Sequence, residues 1–556
     1  MPTLFCEAEG HIMSDDKREP LINPAQSETP GMLGTSMREN REAPLVSGSN
    51  TPDQLEKATS YTTNRNAGGE SDEWVVPTKH SNKGERSPAE SVEGSRSAKG
   101  NTEQTYTCRT QRRGSVSQGL GGVREAARKD KRQKFTALLH HVTVELLRES
   151  FRSLERKAVP GVDGVTWKQY EEGVEDRLAE LHVRIHKGAY RALPSKRTYI
   201  PKANGGQRPL GIAALEDKIV QQAAVTVLNM IYEEDFLGFS YGYRPGRSQH
   251  DALDALAVGL RRKKVNWVLD LDVRGFFDNI SHEWLVRFIE HRMADRRVVR
   301  LIQKWLKAGV SEEGEWTETK VGTPQGAVIS PLLANIYLHY VFDLWVNQWR
   351  RREAKGDMIV VRYADDAVLG FEQRAEAERF LEQLRERLQT FGLELHPEKT
   401  RLIEFGRYAE SNRKRRGEGK PETFDFLGFT HICGKPKRGN WFMVKRQTIK
   451  ARLRSKLKAI RGELRKRWHE RISDTGHWLR SVVQGYFNYH AVPGNFAALR
   501  TFRREVARAW LEALRRRSQR HRLPWERFRT ILDQYLQTPR ILHPEPGVRF
   551  DAKYPR

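Results

Sequence analysis

The sequence predicts an α+β protein whose mixed core runs into an α-helical C-terminal region. Three observations predict it. Residues 358–371 read Met-Ile-Val-Val-Arg-Tyr-Ala-Asp-Asp-Ala-Val-Leu-Gly-Phe, two apolar runs flanking one acidic pair. That is the pattern of an antiparallel hairpin with Asp365 and Asp366 at its tip. Beyond residue 450, apolar side chains recur at helical spacing within a strongly basic background. Residues 1–125 are dominated by Ser, Gly, Thr, Asn, Glu and Arg. Such a segment buries too little surface to offset its ordering entropy, so a disordered extension is expected there.

A chain of 556 residues suits about three or four domains. Its net charge of +26 points to a polyanionic partner, without separating RNA from DNA or an anionic membrane. No apolar run approaches the roughly 18 residues needed to span a bilayer. The first thirty residues carry Glu7, Glu9, Asp15, Asp16, Glu19 and Glu28 with no apolar core, against a secretory or organellar leader. Cys6, Cys108 and Cys433 are too far apart for a disulfide framework or a zinc site. A reducing, cytoplasmic setting is expected.

Taken in order, structure is expected to begin near Ala126. Leu138, Val142, Leu146, Leu147, Phe151 and Leu154 mark a first helix, residues 167–186 a second, and residues 216–232 a third. Between the last two, Ala-Asn-Gly-Gly (203–206) is a hairpin turn. It places Lys202 and Arg208 on neighbouring strands, where they either clamp a triphosphate or form a solvated basic surface. The loop Ser240-Tyr-Gly-Tyr-Arg-Pro-Gly-Arg-Ser248 suits stacking and phosphate contact in a nucleic-acid groove, or is a plain connection.

Residues 266–273 read as a buried strand with Asp270 and Asp272 on one face, because strand side chains alternate. An acid in a core strand needs a partner or a metal. Phe276, Phe277 and Asp278 open the helix that follows. Pairing this strand with the 358–371 hairpin would bring Asp272 to Asp365. Such a constellation suits two Mg²⁺ ions about 3.5–4 Å apart, one activating a 3′-hydroxyl and the other neutralising a triphosphate. In between, Gly322 and Gly326 permit close backbone approach to a ligand, and Ser330-Pro331 starts a helix.

The ordered blocks Asp272, Gly-Thr-Pro-Gln-Gly326 and Tyr-Ala-Asp-Asp366 resemble a reverse transcriptase palm. Four more blocks resemble the group II intron-encoded reverse transcriptases, or maturases: Tyr-Ile-Pro-Lys…Arg-Pro-Leu-Gly-Ile212, Ser-Tyr-Gly-Tyr-Arg-Pro-Gly-Arg247, Gly-Leu-Glu-Leu-His-Pro-Glu-Lys-Thr400 and Phe-Asp-Phe-Leu-Gly-Phe429. The resemblance runs from about residue 126 to near the C-terminus. It implies a right-hand polymerase with an antiparallel sheet: fingers with a helical extension (126–260), palm (261–435), and an α-helical thumb or maturase domain with a basic tail (436–556). It implies an RNA-directed DNA polymerase that also binds its own intron RNA, assisting splicing and mobility.

The implied roles are these. Asp272 and Asp365 bind Mg²⁺ with Asp366 assisting. Lys202 and Arg208 contact nucleotide phosphates, and Gln325 and Gly326 line the nucleotide site. Phe277 lies under the incoming sugar as a barrier to the 2′-hydroxyl, or is a buried aromatic. Lys399 sits at the position of a candidate general acid for pyrophosphate, or is a surface lysine.

Residues 441–556 carry 28 Lys and Arg against 9 Asp and Glu, so this fifth of the chain supplies +19. It reads as a helix bundle: a basic helix over 450–471, then stripes containing Trp478 to Phe487, Phe496 to Leu514, and Trp525 to Tyr535. Gln484-Gly-Tyr-Phe-Asn-Tyr-His490 resembles the maturase thumb. Intron RNA would lie on Arg465, Lys466 and Arg467 and on Arg515, Arg516 and Arg517. Implied partners are intron RNA, a DNA target and primer, and deoxynucleotides. Many family members end in an endonuclease with paired Cys and His zinc ligands. No such cysteines are seen here, so zinc and second-strand cleavage are not expected. Two other readings are weighed. A splicing factor with a dead palm sits badly with intact Asp272, Asp365 and Asp366. A reverse transcriptase of a defence or diversity-generating system should lack the maturase-like thumb.

Overall fold

The computed structural model describes residues 113–201, 206–436, 439, 441–517 and 523–555. The expectation for residues 1–112 and the assignment of Lys202 lie outside them. Eleven strands are described: β1 (Ser195–Pro201), β2 (Gln207–Ile212), β3 (Trp267–Leu271), β4 (Val310–Glu312), β5 (Glu315–Thr317), β6 (Met358–Tyr363), β7 (Asp366–Phe371), β8 (Arg401–Glu404), β9 (Phe424–Phe426), β10 (Phe429–Gly434) and β11 (Met443–Thr448).

They form three sheets, in the orders β2-β1-β4-β5, β6-β7-β3-β8 and β11-β10-β9. The central one, β6-β7-β3-β8, is antiparallel throughout and is buried on both faces. Period-two alternation divides its side chains between two cores. Leu269, Leu271, Val360, Ala367 and Leu369 join the large core, with the helices Ser330–Leu338 and Arg374–Thr390. Val268, Val361, Val368 and Ile403 join another, beneath the helix Gln249–Arg262. Double-sided burial explains why β6 and β7 read as continuous apolar runs.

Several local expectations change. Residues 113–125 belong to the helix Arg113–Lys129, so the order expected from about residue 126 starts earlier. Ala127 is buried, while Arg124 and Arg128 pair with Glu234 at 2.7 and 3.2 Å. The glycine-rich sequence conceals this helix because tertiary contacts, the burial of Leu120 and Ala127 in the large core together with the Glu234 pairs, rather than propensity hold it. The helix expected over 167–186 breaks into Trp167–Glu171 and Val174–His186 around Gly173, which has φ +76°.

The C-terminal bundle comprises Lys450–Lys466, Ile472–His490, Phe496–Arg515 and Trp525–Tyr535 around its own core. Leu479, Phe502, Trp510 and Phe528 are fully buried, as their spacing predicts. Phe496 and Trp525 are exposed instead, each in its helix's first turn. The first helix stops at Lys466 rather than reaching 471. The expected basic tail is the helix Pro546–Lys553, folded back onto Gln249–Arg262. Arg262–Asp551 and Lys553–Asp251 pairs, each 2.6 Å, and Arg549–Asp254 hold it there.

Candidate active site

β6 and β7 are joined by a two-residue turn, with Tyr363 paired to Asp366. Ala364 takes φ +58°, a conformation glycine adopts freely but alanine does not. Strain of this kind costs about 1–3 kcal/mol and persists only where the surroundings over-determine it. Here they do. The Ala364 carbonyl accepts from Arg362 Nη1 at 2.8 Å. Gly242 lies so close that a Cβ there would come 2.2 Å from the Ala364 nitrogen.

Arg362 is the hub of a wholly buried network. It donates to Asp343 at 2.7 and 2.5 Å, to Asn335 Oδ1 at 3.1 Å and to Ser240 Oγ at 2.7 Å. Asn335 Nδ2 in turn donates to the Gly242 carbonyl at 2.8 Å. Asp343 ends a π-helical turn, His339–Asp343, inserted in an otherwise α-helical run, and this irregularity places its carboxylate at Arg362. Sequence reasoning missed Arg362, Asp343 and Asn335. The available signal was a charge within each of two apolar runs, since buried charges occur in pairs.

Asp272 immediately follows β3. Leu271 pairs with Ala367, so one further step of the antiparallel register sets Asp272 beside Asp366. The Asp272 carbonyl accepts from His396 N at 2.8 Å, and the same turn carries Lys399, whose Nζ lies 2.7 Å from Asp272 Oδ2. Asp270 shares the strand face but turns to Arg401 at 3.6 Å. Desolvation still pushes Asp270 up to about 6.

The acids repel each other. Loss of solvent, then the charges of Asp365, Asp272 and Asp270, push Asp366 up to about 7. Asp365 is raised too, chiefly by desolvation and by Asp272, although Arg208 and Arg362 oppose the shift. Among the described residues, no three carboxylate, imidazole or thiol groups already enclose a metal-sized space. Mg²⁺ is ordinarily held by one or two carboxylates together with substrate phosphates, not by an all-protein cage. An under-neutralised group of oxygen donors fits that requirement.

This electrostatics has a stability consequence. The folded-state pKa of Asp366 lies above its unfolded value near 4, so the folded state holds the extra proton between them. Without metal, that contribution is present at low pH and disappears as pH rises through about 7. Asp366→Asn is therefore expected to raise the metal-free Tm at pH 8, by on the order of a degree or two, and to change it little at pH 5. Thermal melts at both pH values check this.

The nucleotide-side expectations converge. Gly322 N donates to Ile280 O and Thr323 N to Phe277 O, both at 2.8 Å. Gly211 N of β2 donates to Gln325 O at 2.7 Å. A Cβ on Gly322, at φ +88°, would sit 2.8 Å from the Asp278 carbonyl. The 322–326 loop thus locks Phe277, Gln325 and Gly326 to the strand that carries Arg208. Phe277 is half-buried, its ring 5.5 Å from Phe276. Arg208 is exposed and its charge reaches Asp365 and Tyr243. Tyr243 is 52% exposed near the same acids.

Other assigned cations are already engaged. Arg244 is buried, donating to Glu233 and to the Leu237 and Ser240 carbonyls. Arg247 donates to the Gly238 carbonyl. Both hold their loop; Arg244 is spent on those contacts, while Arg247 stays half-exposed. Arg467 pairs with Glu463 and Glu470, each at 3.1 Å. Arg517 donates to the Glu470 and Arg467 carbonyls at 2.7 and 3.4 Å. Of the two basic clusters, Arg465, Lys466, Arg515 and Arg516 remain exposed.

A strained two-carboxylate hairpin beside a third acid, facing a glycine-locked loop and a basic strand, is polymerase-like in kind. A family model described as "Reverse transcriptase (RNA-dependent DNA polymerase)" matches residues 200–431, and the chain belongs to that family. Its relatives place it among the group II intron reverse transcriptases, or maturases. It is 35% identical to "Protein YkfC" of Escherichia coli over 44% of this chain and 72% of that protein. It is 40% identical to "Group II intron-encoded protein LtrA" of Lactococcus lactis, over 30% of this chain and 27% of the relative. An "Uncharacterized 91 kDa protein in cob intron" of Schizosaccharomyces pombe is 38% identical over 32% of this chain and 22% of its own. The chain thus spans about a quarter of the last two.

Proposed function

We propose that the chain is an RNA-directed DNA polymerase that also binds group II intron RNA and assists its splicing and mobility. The observation that carries the catalytic half is the clustering of Asp272, Asp365 and Asp366 at one strand end, where Lys399 answers Asp272 and Asp366 is pushed up to about 7. In this reading the central sheet is the palm, β1 and β2 belong to the fingers, and the C-terminal bundle is the thumb. Asp272 and Asp365 would hold Mg²⁺, with Asp366 assisting; bound there, the metal would supply activation of the primer 3′-hydroxyl and charge neutralisation at the triphosphate and leaving pyrophosphate. Arg208 draws the triphosphate towards the acids. Lys399 holds Asp272 in place and is a candidate proton donor to pyrophosphate. Asp270, paired with Arg401, stands behind the metal ligands.

Phe277, half-buried and backed by Phe276, serves as the floor for a deoxyribose. Phe277→Ala is expected to raise ribonucleotide relative to deoxynucleotide incorporation by at least about tenfold, the equivalent of about 1.4 kcal/mol of lost exclusion. Primer extension on an RNA template with competing nucleotides measures it. An unchanged ratio would leave the ring a core aromatic. Wild-type protein that folds and binds intron RNA, yet never extends a DNA primer on RNA, would sink the polymerase reading and favour a splicing factor. The RNA-binding half rests on the +19 of residues 441–556 and the relatives named for introns. Among the described residues no helix is long and apolar enough to cross a membrane.

A further inference from the structure

Away from the acidic cleft, the helices Lys450–Lys466 and Phe496–Arg515 leave a groove of about 290 Å³ between them. Leu464, Ala509 and Ala513 line it. The two alanines are one turn apart, so the second helix presents two small side chains to the groove. Trp468, in the turn after the first helix, forms the wall and is 46% exposed. Elsewhere in the bundle Trp510 is wholly buried and Trp478 packs against the core, while Trp525 is exposed in the first turn of its helix.

The turn that presents Trp468 is pinned. Arg467 spans Glu463 and Glu470 and stacks 4.9 Å over Trp478, while Arg517 holds the Glu470 and Arg467 carbonyls. The backbone that carries the ring is therefore held, and the ring lies against His469 at 4.7 Å, which lowers the ordering cost for a ligand that stacks on it. Around the groove stand Arg461, Arg465 and Arg516, against one lining acid, Glu512. Arg461 partly answers Glu505 at 3.6 Å, whereas Arg465 and Arg516 are exposed.

A π-face flanked by guanidinium groups is the chemistry of nucleotide recognition: the ring takes a base and the cations take its phosphate. Stacking requires a base with a free face, which a paired base inside a helix lacks. We propose that this groove captures one unpaired nucleotide of an RNA strand, its base on Trp468 and its phosphate on Arg465 and Arg516. This rests on reading the bundle as RNA-binding and names where a single-stranded loop would dock.

The test uses the full chain with a short oligouridine and, as a second probe, a fully paired RNA hairpin. Ultraviolet crosslinking with peptide mapping is expected to place a uridine adduct on Trp468. Trp468→Ala should weaken oligouridine binding about 5- to 100-fold, the loss of one base stack, and leave the salt slope unchanged. Trp468→Phe should retain most of the affinity. Arg465→Gln with Arg516→Gln should reduce the salt slope by about 1.4, at roughly 0.7 per single-strand phosphate contact. Ala513→Leu fills the groove while keeping the ring, and should also remove the adduct, so the idea stays testable if Trp468→Ala misfolds. Folded Trp468→Ala protein with unchanged affinity, an equal loss on the paired hairpin, or an adduct mapping elsewhere would overturn the site. Equal Trp468-dependent binding of oligothymidine would overturn its assignment to RNA. Wild-type primer extension is scored in parallel. Extension absent with the adduct present sinks only the polymerase reading, and the reverse sinks only this groove.

Discussion

Asp365→Ala combined with Asp366→Ala is expected to lower Mg²⁺-dependent cDNA synthesis at least about 10³-fold. Metal-mediated charge stabilisation is worth several kcal/mol, and each 1.36 kcal/mol is a factor of ten. The double variant should not unfold. Asp366 stands at the tip of β7, where loss of solvent and then the charges of Asp365, Asp272 and Asp270 push it up to about 7, so removing both charges relieves that cost. The hairpin keeps its Arg362 anchor, because that bond is to the Ala364 carbonyl. Primer extension on an RNA template and a thermal melt read the two effects separately. Extension at the wild-type rate by folded double variant would refute the metal assignment. Lost activity with a collapsed melt would make the acids structural.

Asp343→Ala should have the largest effect on stability, about 3–5 kcal/mol, because it leaves Arg362 charged, buried and unpaired. Asp343 and Arg362 are both essentially inaccessible, at 0% and 1% exposure. Denaturant unfolding measures the loss. Asp343→Leu with Arg362→Met should recover much of it, since a buried ion pair replaced by apolar groups is often close to neutral. Activity should not recover with stability. The Ala364 carbonyl would lose its Arg362 donor, and with it the positive-φ turn carrying Asp365 would lose its support. If the double replacement restored both, the network would be packing alone. A midpoint unchanged in Asp343→Ala would refute the buried pairing.

The acidic hairpin, the strand before Asp272 and the buried stripes of the C-terminal bundle were legible in the sequence. Each is a local pattern: period two in β6 and β7, and helical spacing at Leu479, Phe502 and Trp510. The order of the blocks also carried the family, because chain order survives where contacts cannot be seen. Tertiary structure decided which charges are free. Arg244 and Arg517 read as phosphate ligands in a list of residues, yet one is spent on Glu233 and nearby carbonyls and the other on the turn 467–470. It also decided that Arg124 recruits Glu234 to seat a helix hidden in a glycine-rich stretch, and that Asp551 draws the C-terminus back to Arg262. A periodic pattern is set by neighbours three or four positions away, which any sequence displays. The partner of a charge is set by chain segments that lie from 11 residues apart, as for Arg244 and Glu233, to nearly 300, as for Arg262 and Asp551, and only the folded molecule displays which.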